Sequence, residues 1–226
     1  MTHADAFARQ EELQTERRDR ILEAADRCFS RAGFHRTTMQ DVAAEAGMTA
    51  GNLYRYFPSK EALVLGLCER DRCRVAADFE GFRPDSADFL DGFASFGRKF
   101  FEEAERDKAA LCLEIWAEAT RNPTVARVHL DFDRDIVRHL VKIFEAAKAN
   151  GNMAPDVDPG PVASILTKLA DGLFVRRAID PDFDPRREVA EVFAVVEAML
   201  SGRVKFPRTD AEKESAPCSS AASLHS

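Results

Sequence analysis

Two complete sets of helix start and stop signals fall within one short stretch, TTMQDVAAEAGMTAGNLYRYFPSK (37–60), which therefore has room only for two short helices and a tight turn. Thr38 precedes Asp41 by three positions, the spacing at which a hydroxyl and a carboxylate cap each other's unpaired backbone N–H groups. Gly47 supplies the stop, because glycine accepts the left-handed conformation that ends a helix and starts a turn. Val42, Ala43 and Ala46 fall at helical spacing between these signals, and the small Ala43 lets a second helix approach closely. Thr49 stands at the next N-cap position, Leu53 plugs the gap between the two helices, and Pro58 ends the second.

The outward side of that second helix is shaped for a groove. Ala50, Gly51 and Asn52 form a first turn with little bulk, and Tyr54, Arg55 and Tyr56 follow with two phenol hydroxyls and a cation at phosphate height. Ser59 caps a third helix and leaves Lys60 at its N-terminus, where an ammonium and free backbone N–H groups both favour a phosphate. These features predict a helix-turn-helix reader of double-stranded DNA. The bland alternative is a helix pair that never meets DNA, with Tyr54 and Tyr56 as ordinary packing residues.

The same residues, GNLYRYFPSKEAL above all, resemble the DNA-binding domain of TetR/AcrR-type transcription regulators, over roughly residues 15–70. By that resemblance Thr38 and Lys60 would contact phosphates, Thr49 to Tyr56 would enter the major groove, and Tyr54 and Tyr56 would clamp the backbone. IWAEATRNP (115–123) and LADGLFVRRAI (169–179) look similar to the C-terminal domain of the BetI-type branch. Ala50 stands where relatives often carry a longer polar residue, so the resemblance transfers no base preference.

The chain carries a formal charge of -7, which at first sight opposes a polyanionic partner. Distribution outweighs the total: Arg27, Arg31, Arg36, Arg55 and Lys60 outnumber Asp41 and Glu45, and the acidic excess lies beyond residue 60. A positive tip on an acidic body would orient the protein on DNA. The N-terminus is polar and charged and no apolar run reaches the roughly 20 residues of a membrane span, which predicts a cytoplasmic protein with no membrane partner. Five cysteines without a CxxC pair, and no histidine spacing suited to a metal, predict reduced thiols, no metal and no cofactor. Neither a phosphate loop, a paired-histidine motif nor a dinucleotide fingerprint occurs, so an enzyme is not expected.

Helical periodicity and breaker residues predict an all-α chain. Helices are placed at about 15–33, 39–46, 50–56, 60–80, 86–105, 108–121, 125–149, 160–179 and 186–202. Residues 1–14 read as a flexible lead, 15–60 as a three-helix DNA-binding domain, 61–203 as a six-helix ligand-binding and dimerisation bundle, and 204–226 as a disordered tail. The helix from Lys60 crosses from the reader, through Ala62, Leu63 and Leu67, into the bundle, through Cys68, Arg72 and Val75, and is the natural lever between them.

Phe89, Phe93, Phe96, Phe100 and Phe101 crowd one helix at spacings of three and four. For each of them core packing is the first reading; the sharper one is that Phe96 and Phe100, with Leu113, Trp116, Phe132, Ile136, Leu140 and Phe144, wall a cavity for a small hydrophobic or aromatic effector. Glu114 and Glu118 flank Trp116 as surface charges or counter-ions. The last two helices carry apolar stripes that include Leu166, Leu169, Leu173, Val192, Val196 and Met199, more than one core needs, which predicts a four-helix homodimer interface. Together these readings predict a homodimeric, ligand-released repressor of a pseudo-palindromic operator; the alternative is a helical small-molecule-binding or protein-interaction module without DNA function.

Overall fold

The computed structural model describes residues 3–80, 82–83, 88–103 and 106–204, with the side chains of 3–8, 11 and 103 set aside. Every regular element among them is a helix: α1 (His3–Ala32), α2 (Met39–Glu45), α3 (Ala50–Tyr56), α4 (Lys60–Glu80), α5 (Phe89–Glu103), α6 (Arg106–Ala119), α7 (Pro123–Ala149), α8 (Pro159–Ile179) and α9 (Pro185–Leu200). The tail from 205 and residues 84–85 of the 82–85 break lie outside the described residues.

One boundary differs clearly from the sequence reading. The helix expected from Thr15 begins at His3, so residues 3–14 continue α1 instead of forming a separate lead. No glycine or proline interrupts the chain before Gly33, and alanine, glutamate, glutamine and arginine all favour continued helix. Up to Arg20 the described side chains are exposed; from Ile21 on, Leu22, Ala25, Cys28 and Phe29 turn one face inward.

That face seeds the first core, where α2 packs on α1 and α3 on α2 around Met39, Val42, Ala43, Leu53 and Phe57. Leu63, Val64 and Leu67 bring α4 into the same cluster, and Leu111 and Val125 bring in α6 and α7. The reader core therefore does not stop at residue 60, and α4 and α6 belong to both halves of the molecule. A second core gathers Phe89, Phe93, Phe144, Val162, Val196 and Met199 from α5 and α7 to α9, with Phe93 edge-on to Phe144 and Phe193, each at 5.4 Å between ring centroids. A third joins Phe101, Leu173, Phe183 and Val189.

These two cores correct the stripe reading of α8 and α9. Val196, Met199, Leu173 and Leu166 are only 0, 2, 5 and 8% exposed within their own chain, so these four are covered before any second copy arrives. Val192 packs half-buried against both cores, and Leu169 is half-buried. The cause is which neighbours lie where: α9 packs along α5, and α8 along α6 and α7, so each stripe faces its own bundle. What these helices leave outward is the opposite side, with Gly172, Arg176 and Ile179 on α8 and Ala194 and Val195 on α9.

Candidate nucleic-acid interface and effector cavity

The two short helices are held by their own caps. Thr38 Oγ1 accepts the Asp41 backbone N–H at 3.2 Å while the Asp41 carboxylate accepts the Thr38 N–H at 2.8 Å, a reciprocal capping box. The Thr38 hydroxyl also donates to Asp41, and these bonds to the charged form hold the Asp41 carboxyl below the usual range. Gly47 adopts φ +67°, and its N–H and that of Met48 return to the α2 carbonyls of Ala44 and Ala43. Thr49 Oγ1 then accepts the Asn52 N–H at 3.3 Å, and Phe57 takes the extended conformation that a residue before proline favours.

With its ends fixed, α3 divides into an inner and an outer side. Leu53 is fully buried, and Ala50 and Tyr56 pack half-buried against the reader core. Thr49, Gly51, Tyr54 and Arg55 are exposed, Asn52 is half-buried, and open space surrounds the Gly51 position. The tyrosines thus part company: Tyr54 is 44% exposed, whereas Tyr56 leans on the core. Thr38 is exposed at the start of α2. Arg27 and Arg31 both pair with Glu45, at 2.8 and 3.3 Å, while Arg55 has no side-chain partner among the described residues.

Lys60 occupies a different position from the one its sequence context suggests. Its Nζ donates to the carbonyls of Phe34 at 2.8 Å and His35 at 3.2 Å and lies 4.6 Å from the Phe34 ring centroid. It therefore anchors the 33–37 turn, which leads directly into α2. The same turn is held from the other side by α6. The Glu114 carboxylate accepts the Phe34 N–H, and Arg121, paired with Glu118, meets the His35 ring at 2.7 Å. Glu114 thus holds the reader directly and Glu118 only through Arg121, so neither is an idle surface charge or a counter-ion inside the bundle.

On its opposite side α6 borders a partly open cavity of about 250 Å³ lined by α4 to α9 and by Asp26 of α1. Phe96, Phe100, Trp116, Phe132, Ile136 and Leu140 line it, all residues that the sequence reading placed there. Two others do not. Phe144 is fully buried against Phe93 in the second core, and Leu113 points away half-buried, so both are withdrawn from the lining. Leu166 faces the cavity, not a second copy.

Sequence reasoning missed the polar part of this wall. Cys68 of α4 and Cys112 of α6 line it, their thiols pushed up to about 12 and about 11 by burial. Asp133 of α7 and Asp171 of α8 line it too. Loss of hydration raises both carboxyls above the usual range; the Asp133 charge raises Asp171 further, and His129 acts oppositely on both. Single acidic residues on long helices read alike in sequence, and the packing of α8 on α7 is what brings these two to one wall, Asp133 half-buried and Asp171 exposed. No group of three or more His, Cys, Asp or Glu suited to a metal ion occurs among the described residues, and no described helix is long and apolar enough to cross a membrane.

A capped short helix with an open outer side, joined through two shared helices to an aromatic cavity, defines a helix-turn-helix regulator class. Comparison with known proteins names the family. The model of the bacterial regulatory proteins of the tetR family matches residues 21–67, and that of the BetI-type transcriptional repressor C-terminal domain matches 95–201. The chain is 32% identical over 165 residues to the HTH-type transcriptional regulator UidR of Escherichia coli K12, covering 71% of this chain and 83% of that protein. It is 31% identical over 185 residues to the HTH-type transcriptional repressor KstR of Mycobacterium tuberculosis, covering 79% and 80%. Salmonella enterica GusR superposes with a TM-score of 0.69 at 29% identity, over 82% of this chain and 95% of that one. The chain belongs to the TetR family of transcriptional regulators.

Proposed function

We propose that the protein is a homodimeric repressor that binds a pseudo-palindromic operator through α3 and is released when a small molecule occupies the cavity. The observation that carries the DNA reading is the division of α3: Leu53 fixes the helix inward while Thr49, Gly51, Tyr54 and Arg55 face out with nothing covering them. Asn52 and Tyr56 flank that surface, Ala50 sets its floor, and Thr38 stands at the start of α2 for a phosphate. Lys60 acts chiefly by holding the 33–37 turn, with its remaining N–H open to a phosphate.

One reader offers few base contacts, so useful specificity calls for two copies on neighbouring half-sites. The outward sides of α8 and α9, with Ile179 at 67% and Val195 at 46% exposure, are the apolar surface for pairing. Release follows from the two shared helices. A ligand that displaces Trp116 or Cys68 shifts α6 or α4, and each helix grips the reader, α6 through Glu114 and α4 through Lys60 and Leu63. Couplings of roughly 1–3 kcal/mol are typical between such sites, and near-complete release needs about 5.5 kcal/mol of differential affinity.

The test is selection of bound fragments from genomic DNA, followed by fluorescence anisotropy on the selected sequence. Tyr54→Ala and Arg55→Ala should each weaken binding about tenfold or more with the melting temperature unchanged, as expected for exposed groups that contact DNA. Wild-type affinity in both variants would refute the assignment of α3 as the reader.

A further inference from the structure

The wall between α6, α7 and α8 combines two features that come from different helices. The first is an aromatic corner. The Trp116 ring lies 5.8 Å from His129 and 6.4 Å from Phe174, and Phe174 contacts Phe101 at 5.2 Å and Phe100 at 6.0 Å. The second is a pair of carboxylates opening into the same cavity beside that corner. Asp133 has one neighbour of opposite character, His129 at 3.5 Å, which carries charge only when protonated. Asp171 makes no hydrogen bond or ion pair with any described residue.

The surrounding charges leave this corner anionic. Lys168, three residues before Asp171, bonds its ammonium to the Ser164 carbonyl at 2.8 Å and hydroxyl at 2.6 Å, and its charge is the smallest of the influences on Asp171. Lys108 is taken by Asp71 at 3.2 Å, and Asp26 by Arg70 at 2.6 Å. Arg74 of α4 is an exposed cation of the lining with no ion pair among the described residues, outnumbered there by Asp26, Asp71, Asp78, Asp133 and Asp171. Asp133 is half-buried and Asp171 exposed at the wall of the cavity, and carboxylates that share a cavity with electron-rich rings favour a cation. Two such carboxylates also offer several unfilled acceptor sites, which suit a cation that carries hydrogen-bond donors.

We propose that the cavity takes a protonated amine with an aromatic or alkyl body, its N–H⁺ group held by Asp133 and Asp171 against Trp116 and Phe174, and its apolar part lying among Phe79, Phe96 and Ile136. This rests on the reading of the cavity as the effector site and names the chemistry of the effector. An alkylamine is protonated at neutral pH, as lysine is, so no acid–base step is needed on binding.

Trp116 is the only tryptophan in the chain and reports directly on the site. Its fluorescence should be titrated in the full-length protein with four probes that share one body: phenylbutylamine, phenylbutanol, phenylbutyrate and phenylbutyl-trimethylammonium. The amine should bind saturably and at least about tenfold more tightly than the alcohol, as expected for a charge-assisted bond in a site of low polarity. The butyrate should bind most weakly, and the quaternary ion, lacking N–H donors, should fall short of the amine. In Asp171→Asn and in Asp133→Asn the amine's advantage over the alcohol should shrink while the alcohol binds as before.

Equal binding of amine and alcohol, tightest binding by the butyrate, a quaternary ion that matches the amine, or an advantage that survives both substitutions would each overturn the proposal. The wild-type ranking decides the question even where a variant fails to fold. Adding labelled operator separates the two readings. An amine that binds beside Trp116 but leaves operator affinity unchanged upholds the site and defeats the effector role, whereas an operator complex that ignores amines while the probes rank otherwise defeats only the site.

Discussion

The contact between Glu114 and the Phe34 amide makes a sharp test of how the bundle holds the reader. Gly33 ends α1 with φ +84°, and the next N–H, that of Phe34, points out of the helix into the Glu114 carboxylate of α6. Phe34 is only 4% exposed, so when Glu114→Ala removes the acceptor no ready supply of solvent replaces it. A hydrogen bond to a charged group contributes about 1.5–3 kcal/mol net, and the orphaned donor carries its desolvation cost as well. Local opening of the 33–37 turn should therefore become easier by roughly 10- to 100-fold. Glu114→Gln keeps an acceptor but loses the charge and about half the strength, so it should fall between. Amide hydrogen exchange reads this without operator or ligand: the Phe34 amide should exchange faster in the order wild type, Gln, Ala, while the Leu53 amide, buried deeper in the same core, stays put. Gly33→Ala probes the contact from the other side, because a Cβ there would lie 2.7 Å from Glu114 Oε1 in addition to straining the backbone. Part of its cost should vanish in the Glu114→Ala background. Exchange at Phe34 within twofold of wild type in Glu114→Ala, or equal acceleration across every reader amide, would refute the idea of a local clamp.

Leu53→Ala removes a fully buried side chain from between α2 and α3, and should cost about 3 kcal/mol in denaturant unfolding; a loss under about 1 kcal/mol would mean the plug is not needed. The thiols of the half-buried Cys68 and Cys112, raised to about 12 and about 11 by burial, should be alkylated at pH 8 far more slowly than the exposed Cys73, and peptide mapping with equal rates at all three would contradict their placement in the cavity wall. Asp171 should show a stability effect of opposite sign to a normal ion-paired carboxylate. Partial burial, and then the charge of Asp133, raise its folded pKa above the ordinary 3.8, so the folded state holds this proton more tightly than the unfolded chain. Stability from this group is therefore lost as pH rises from the unfolded value through the raised one. Asp171→Asn should raise the melting temperature at pH 7, with the difference shrinking as the buffer approaches about pH 4; a lower melting temperature at pH 7 would show that the carboxylate stabilises the fold.

The reader was legible in the chain itself because its signals are local. Thr38 and Asp41 cap each other across three residues, Gly47 turns the chain, Thr49 starts α3 and Pro58 stops it, and each of these contacts is made within one or two helical turns of sequence. Helix periodicity and breakers likewise placed α2, α3 and α4 to within a residue, and the recurring phenylalanines pointed to an aromatic interior. What the sequence left open was direction. A stripe such as Val192, Val196 and Met199 is apolar whether it meets its own bundle or a second copy, and only the packing of α9 on α5 decided for the bundle. Glu114, Asp133 and Asp171 look alike as acidic residues on amphipathic helices, yet one clamps the reader and two face an aromatic cavity. Lys60 looks like a free phosphate ligand until the carbonyls of Phe34 and His35, more than twenty residues earlier in the chain, come within reach. Local sequence sets which backbone groups are capped and which face of a helix is apolar, whereas the side on which neighbours lie, and so the solvation of every polar group between them, is settled only when distant helices pack.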